Sequence, residues 1–133
     1  MIKAIIVGHG DFATSMLKTV EKIIGKQEMV EVFSNEKLSC EALVEILRNA
    51  IAANKQEKII FVDLPGGSCA ISCSNLLKSN EGLKIVCGVN LPLLIEFFLL
   101  REKYKVDELI PILLKKGRDN IKVLGGHNFG NNW

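Results

Sequence analysis

Hydrophobic and polar positions alternate in period along the chain, and the switches mark its elements. Lys3 to Val7 reads Lys-Ala-Ile-Ile-Val, apolar on both alternating sets, as in a parallel strand buried on both faces. After Gly8-His9-Gly10 the period becomes helical. Phe12, Met16, Val20, Ile23 and Ile24 share one face of a helix from about Asp11 to Ile24, with Gly25 as its stop. Met29 to Phe33 is a short second strand, and its Glu31 places it at an edge. Ser39 caps a second helix reaching about Ala53, with Leu43, Ile46, Leu47, Ala50 and Ile51 inward. Lys58 to Leu64 is a third strand, as apolar as the first. Pro65-Gly66-Gly67-Ser68 breaks it and opens a third helix, Ser68 to Lys78. Leu83 to Val89 is the fourth strand. Asn90-Leu91-Pro92 turns into a fourth helix over about Leu93 to Lys103. A fifth helix starts at Asp107 and fades over Gly117 to Asn120, with Pro111 tolerable only in its first turn. The alternation Ile-Lys-Val-Leu at Ile121 to Leu124 predicts a last short strand. Gly125 to Trp133, rich in Gly and Asn, reads as a flexible tail.

Strands alternating with helices define an α/β fold: a doubly wound, mainly parallel four-stranded sheet with helices on both faces. At 133 residues the chain is one domain with room for a full core. The formal net charge is +2, with both signs interspersed. That pattern argues against a nucleic-acid partner, because no Lys/Arg cluster tracks a phosphate backbone. The apolar start breaks at Gly8, too short for a signal-peptide core. Leu91 to Leu100, the longest apolar run, is too short to span a bilayer. A cytoplasmic location is the expectation. The cysteines Cys40, Cys69, Cys73 and Cys87 form no Cys-x-x-Cys pair. They read as reduced thiols packed as small apolar side chains, with a metal clip of Cys69, Cys73 and Cys87 as the weaker alternative.

The first and third strands are the most apolar and therefore central. Ligands of doubly wound sheets bind beyond the carboxyl ends of strands, where strand order reverses. If these two strands are neighbours across that point, His9 and Asp63 come together. A carboxylate that accepts from one imidazole nitrogen fixes the tautomer and leaves the other nitrogen nucleophilic. Gly8, Gly10, Gly66 and Gly67 let backbone amides approach a ligand, two helix N-termini favour an anion, and Ser68 adds a hydroxyl. Together these describe a phosphohistidine site with His9 and Asp63 as catalytic residues and Gly10, Gly66, Gly67 and Ser68 as the phosphoryl cradle. His127 lies in the tail and is set aside. Glu96, alone in an apolar helix, reads as a solvent-side or interface residue.

Gly8-His9-Gly10-x-Phe12-Ala13, Val62-Asp63-Leu64 followed by Gly66-Gly67-Ser68, and Gly88-Val89-Asn90-Leu91-Pro92 occur in this order. In this the chain resembles the mannose-family enzyme IIA of the bacterial phosphoenolpyruvate-dependent sugar phosphotransferase system, from Met1 to about Leu124. The resemblance implies that residues 1–124 are a phosphocarrier domain, followed by a tail at 125–133. It implies that His9 takes a phosphoryl group from the phosphocarrier protein HPr and passes it to an enzyme IIB histidine, and through it to a membrane sugar permease. It also implies that Asp63 holds Nδ1 and leaves Nε2 for phosphorylation, and that the protein is a homodimer. Its last strand, here Ile121 to Leu124, would cross to the partner's sheet and pair antiparallel with it. No cofactor or metal is implied. Cys69-Ala70-Ile71 departs from the family, where Pro often follows the serine. Alternatives are the phosphotransferase subunit of a dihydroxyacetone kinase and a non-catalytic phosphorylation-sensing module. A flavodoxin-like nucleotide site is disfavoured, because Gly-His-Gly-Asp is neither a hydroxyl-rich phosphate loop nor a Gly-x-Gly-x-x-Gly run.

Overall fold

The structure, a computed structural model, describes residues 1–125. Four parallel strands, β1 (Lys3–Gly8), β2 (Val30–Ser34), β3 (Lys58–Val62) and β4 (Lys84–Cys87), form one sheet in the order β2-β1-β3-β4. β1 and β3 are central and buried throughout, as their apolar composition requires. β2 is an edge, as Glu31 implies, and β4 is the other. From β1 the chain first steps outward to β2, then returns across β1 to β3. The reversal of direction therefore falls between the carboxyl ends of β1 and β3.

Five helices cover the sheet: α1 (Phe12–Ile24), α2 (Cys40–Ala52), α3 (Ser68–Ser74), α4 (Leu91–Leu100) and α5 (Val106–Asp119). The two-residue pleat period divides them into two layers. Ala4, Ile6, Ile59, Phe61 and Val86 face Val20 of α1, Leu94 and Phe97 of α4, and Leu109 and Leu113 of α5. Ile5, Val7, Ile60 and Val62 face Leu43 and Leu47 of α2, and Cys69 and Cys73 of α3. The doubly wound arrangement expected from the sequence is thus the one observed.

Local chemistry sets the helix ends. The Ser39 hydroxyl accepts from the Ala42 amide at 3.0 Å and caps α2. Asn90 Oδ1 accepts from the Leu93 amide at 3.1 Å, while its Nδ2 donates to the Gly117 carbonyl at 2.9 Å. Asn90 thereby caps α4 and ties it to α5. Gly117 has to be small, because a Cβ there would sit 3.0 Å from Leu93 Cδ1. Glu96 bridges the same two helices through Lys116 Nζ at 3.4 Å.

Several boundaries differ from the sequence-based expectation. α3 tightens into 3₁₀ helix over Asn75–Lys78. α4 starts two residues early, with Pro92 in its first turn, where no amide is needed. Pro111 lies in the second turn of α5, not the first. It is tolerated because Pro111 and Asp107, whose carbonyl it leaves unbonded, are both exposed to water. Ile121 to Leu124 belongs to no strand among the described residues, and Ile121, Val123 and Leu124 are exposed. An extended segment needs a ladder partner, and among the described residues no strand pairs with it. Gly125 is the one tail residue described; His127 and the rest of the tail lie outside the described residues.

The sequence reading passed over Arg101. It is buried just beyond α4, and its guanidinium donates to the carbonyls of Ile2, Glu28 and Met29 at 3.3, 2.6 and 3.1 Å. The same group lies 4.9 Å from the Phe98 ring centroid. Arg101 gathers carbonyls at the amino ends of β1 and β2, of which Met29 O also accepts from the Ala4 amide at 3.1 Å, and these partners are why a charge survives in the core.

Candidate functional site

His9 and Asp63 each follow the last residue of a central strand. Val7 of β1 is in register with Val62 of β3, so adjacent parallel strands release the two residues side by side. The Asp63 carboxylate then holds His9 at two points. Its Oδ2 accepts from the His9 amide at 2.9 Å and lies 2.8 Å from Nδ1. The other oxygen, Oδ1, accepts from the Leu64 amide at 2.9 Å. Because a carboxylate only accepts, Nδ1 carries the hydrogen and Nε2 keeps its lone pair. Ser68 Oγ lies 3.2 Å from Nε2, positioned to donate to that lone pair.

Exposure separates the roles of the pair. The His9 side chain is 43 % exposed and that of Asp63 only 10 %. Burial acts to raise the Asp63 carboxyl. The amide and imidazole of His9, together with the Leu64 amide, outweigh it, and the group ends below the usual aspartate range. A partly buried, ionised carboxylate therefore stands behind an accessible imidazole.

Two glycine turns frame the ring. Gly10 takes φ +55° and Gly66 φ +74°, backbone conformations that admit few side chains. Their part is to turn the chain. Gly67 is different: its φ of −75° is ordinary, but a Cβ there would lie 3.4 Å from His9 Cε1. Its smallness keeps room beside the imidazole. Gly8 is needed for packing, since a Cβ would meet Phe12 Cδ2 at 2.6 Å. Gly67 is also the residue before α3, and having no side chain it leaves the first-turn amides uncapped.

The structure thus brings His9, Asp63, Gly67 and Ser68 together, with Gly10 and Gly66 shaping the turns. Two participants were missed by sequence reading. The Leu64 amide is invisible in a side-chain pattern. Cys69 reads in the sequence as packing, or as part of a clip with Cys73 and Cys87. Among the described residues the group that places metal-ligating atoms within 4.8 Å of one another is instead His9, Asp63 and Cys69. Cys69 directly follows Ser68, which was the available signal. All four cysteines are free, and burial pushes the Cys73 thiol up to about 12.

A doubly wound parallel sheet with a carboxylate-held, accessible histidine at its reversal point is the class of protein that fold and site define. Comparison with known proteins narrows it. The family model described as "PTS system fructose IIA component" matches residues 3–113. The mannose-specific EIIAB component of Escherichia coli (strain K12) is 32 % identical over 131 residues, covering 93 % of this chain and 40 % of that protein. The fructose-specific EIIA component of Bacillus subtilis (strain 168) is 27 % identical, covering 96 % of this chain and 89 % of that protein. The crystal structure of phosphotransferase system component EIIA from Streptococcus agalactiae superposes with a TM-score of 0.87 at 30 % identity, covering 92 % of this chain and 97 % of that one. The chain belongs to the EIIA family of the sugar phosphotransferase system, in its mannose/fructose branch. It spans about 40 % of the length of the EIIAB relatives it matches. No helix among the described residues is long and apolar enough to cross a membrane.

Proposed function

We propose that this chain is the phosphocarrier of a sugar phosphotransferase system, with His9 taking a phosphoryl group from phospho-HPr and handing it to an enzyme IIB histidine. The observation that carries this is the double hold of Asp63 on His9, which directs Nε2 outward as the nucleophile.

The chemistry follows from that geometry. Nε2 attacks phosphorus, the phosphorus–nitrogen bond of the donor breaks, and its electron pair returns to the donor imidazole. The attacking ring is neutral before the step and cationic after it, because Nδ1 keeps its hydrogen. Asp63, 2.8 Å from Nδ1, carries the balancing negative charge. Ser68 Oγ, which faces Nε2 in the resting site, has to swing aside as phosphorus arrives. It is then placed to donate to a phosphoryl oxygen. The uncapped amides following Gly67 are further donors for the equatorial oxygens. Onward transfer to enzyme IIB reverses the step. No metal is needed, since the donor phosphohistidine already has high transfer potential and the site has only to align it.

Docking partners meet an apolar rim: Leu64 is 57 % exposed, and Ile71, one turn into α3, is 60 % exposed. Pro65 is exposed beside them. Phe12 is half-buried against the core and belongs to the rim only in part. A cytoplasmic location, peripheral association with the membrane permease, and a homodimer formed through Ile121 to Leu124 complete the reading. Pairing those exposed residues with a second sheet would cover apolar surface and an open edge.

Incubation with phosphoenolpyruvate, enzyme I and HPr tests the proposal. The protein should acquire an acid-labile, base-stable phosphate that His9→Ala abolishes. A label that survives in His9→Ala, or its absence from the wild type, would overturn it.

A further inference from the structure

The phosphoryl-transfer reading leaves one nearby group unused. Cys69 is fully buried at the first turn of α3, and its sulfur shares a 4.8 Å cluster with the ligating atoms of His9 and Asp63. These are an imidazole nitrogen, a carboxylate oxygen and a thiol, three donors of the kind a zinc ion takes in three-ligand sites with an open fourth position. Zinc bonds of about 2.0–2.3 Å put tetrahedral donors roughly 3.3–3.7 Å apart. The cluster is within reach of that spacing. Nδ1 and Asp63 Oδ2, now 2.8 Å apart across a hydrogen, have to open slightly, and the sulfur has to close. His9 is on a turn and its side chain is 43 % exposed, so its ring can make the adjustment once the hydrogen bond to Asp63 opens.

We propose that His9, Asp63 and Cys69 form an inhibitory site for zinc or a similar thiophilic divalent cation. The ion replaces the hydrogen between His9 and Asp63, with Cys69 as third ligand and water from the exposed side as fourth. Magnesium and calcium do not compete, because they call for mostly oxygen donors and the cluster has one carboxylate. Coordination releases one proton, that of the Cys69 thiol, to solvent. The imidazole keeps its own. With the ion on Nδ1 that hydrogen moves to Nε2, so the nucleophilic lone pair is gone and phosphoryl transfer stops until the metal is removed. This consequence rests on the proposed role of His9, whereas the binding does not.

Two measurements keep those apart. In the first, the metal-free full chain is titrated with Co²⁺. The expected result is one equivalent bound with a sulfur-to-cobalt charge-transfer band. Cys69→Ala should lose the band, and both Cys69→Ala and His9→Ala should weaken binding by ~100-fold or more, beyond the usual loss for a ligand's outer partner. His9→Ala, at an exposed turn, serves should Cys69→Ala fail to fold. Cys87→Ala, at an exposed thiol outside the cluster, should change nothing. A wild type without the band, a band that survives Cys69→Ala, or a band lost in Cys87→Ala overturns the site. In the second, purified phospho-HPr is the donor and one equivalent of Zn²⁺ is added. Wild-type transfer should fall at least ~10-fold and recover with a chelator, while Cys69→Ala, active without metal, should be insensitive. Equal inhibition of both proteins overturns the regulation. A metal-free wild type that takes up no phosphoryl overturns the role of His9 and with it the inhibition, and the cobalt titration still decides the site.

Discussion

Asp63 Oδ2 accepts from both the backbone amide and the Nδ1–H of His9, at 2.9 and 2.8 Å. One oxygen therefore fixes the turn and the ring that the turn carries. The arrangement exists because β1 and β3 are parallel neighbours in register, each ending one residue before a member of the pair.

Removing the carboxylate should separate positioning from folding. Asp63→Ala is expected to fold, since Asp63 sits outside the strand, and to lower the transfer rate by about 10²-fold or more, the scale of losing one preorganised electrostatic partner. Stopped transfer kinetics from phospho-HPr would show it. A wild-type rate would refute the role of the pair.

The same carboxylate predicts an acid limb in stability. Its folded pKa lies below the unfolded value, so the native state binds fewer protons. Its contribution is fully present above the unfolded aspartate pKa, about 3.9, and is lost as pH falls through the depressed folded value. Denaturant unfolding from pH 7 downward should show a shallower loss for Asp63→Asn than for wild type. Parallel curves would contradict the assignment.

Gly67→Ala probes the space beside the ring. The backbone at Gly67 admits alanine, but the new Cβ would lie 3.4 Å from His9 Cε1 and 3.7 Å from Leu64 Cβ. The variant should melt near wild type and transfer the phosphoryl group more slowly. A wild-type transfer rate would show that the space is not needed.

Arg101→Ala addresses the opposite end of the sheet. It removes the guanidinium donor from the carbonyls of Ile2 and Glu28 and one of two donors from that of Met29, which keeps the Ala4 amide. We expect a loss of about 1–3 kcal/mol by denaturant titration, the cost of leaving buried polar groups without a donor, with the transfer step in the remaining folded protein unchanged.

Much of this was legible in the sequence. Ile5, Ile6, Ile59 and Ile60 announced two fully buried strands, and the breaks at Gly8 and at Pro65-Gly66-Gly67 announced roughly where they end, although β3 stops at Val62, two residues before the expected Leu64. That both are central follows from their composition; that they are neighbours in register, on which the meeting of His9 with Asp63 depends, is shown by the fold. What was not legible depends on three-dimensional partners. Pro111 is placed by where α5 starts, which is set by Glu108 accepting from the Lys105 amide at 3.1 Å. Arg101 pairs with carbonyls more than seventy residues away. Cys69 looked like core because it is core, and only the fold shows that its sulfur reaches the site.

The most direct test reads the imidazole of His9 itself. Long-range proton–nitrogen NMR spectra, taken before and after phosphorylation by phospho-HPr, identify which nitrogen carries hydrogen and which carries phosphorus. The account predicts hydrogen on Nδ1 in both states and phosphorus on Nε2. Phosphorus on Nδ1, or a His9 ring unchanged while the protein is phosphorylated, would contradict it.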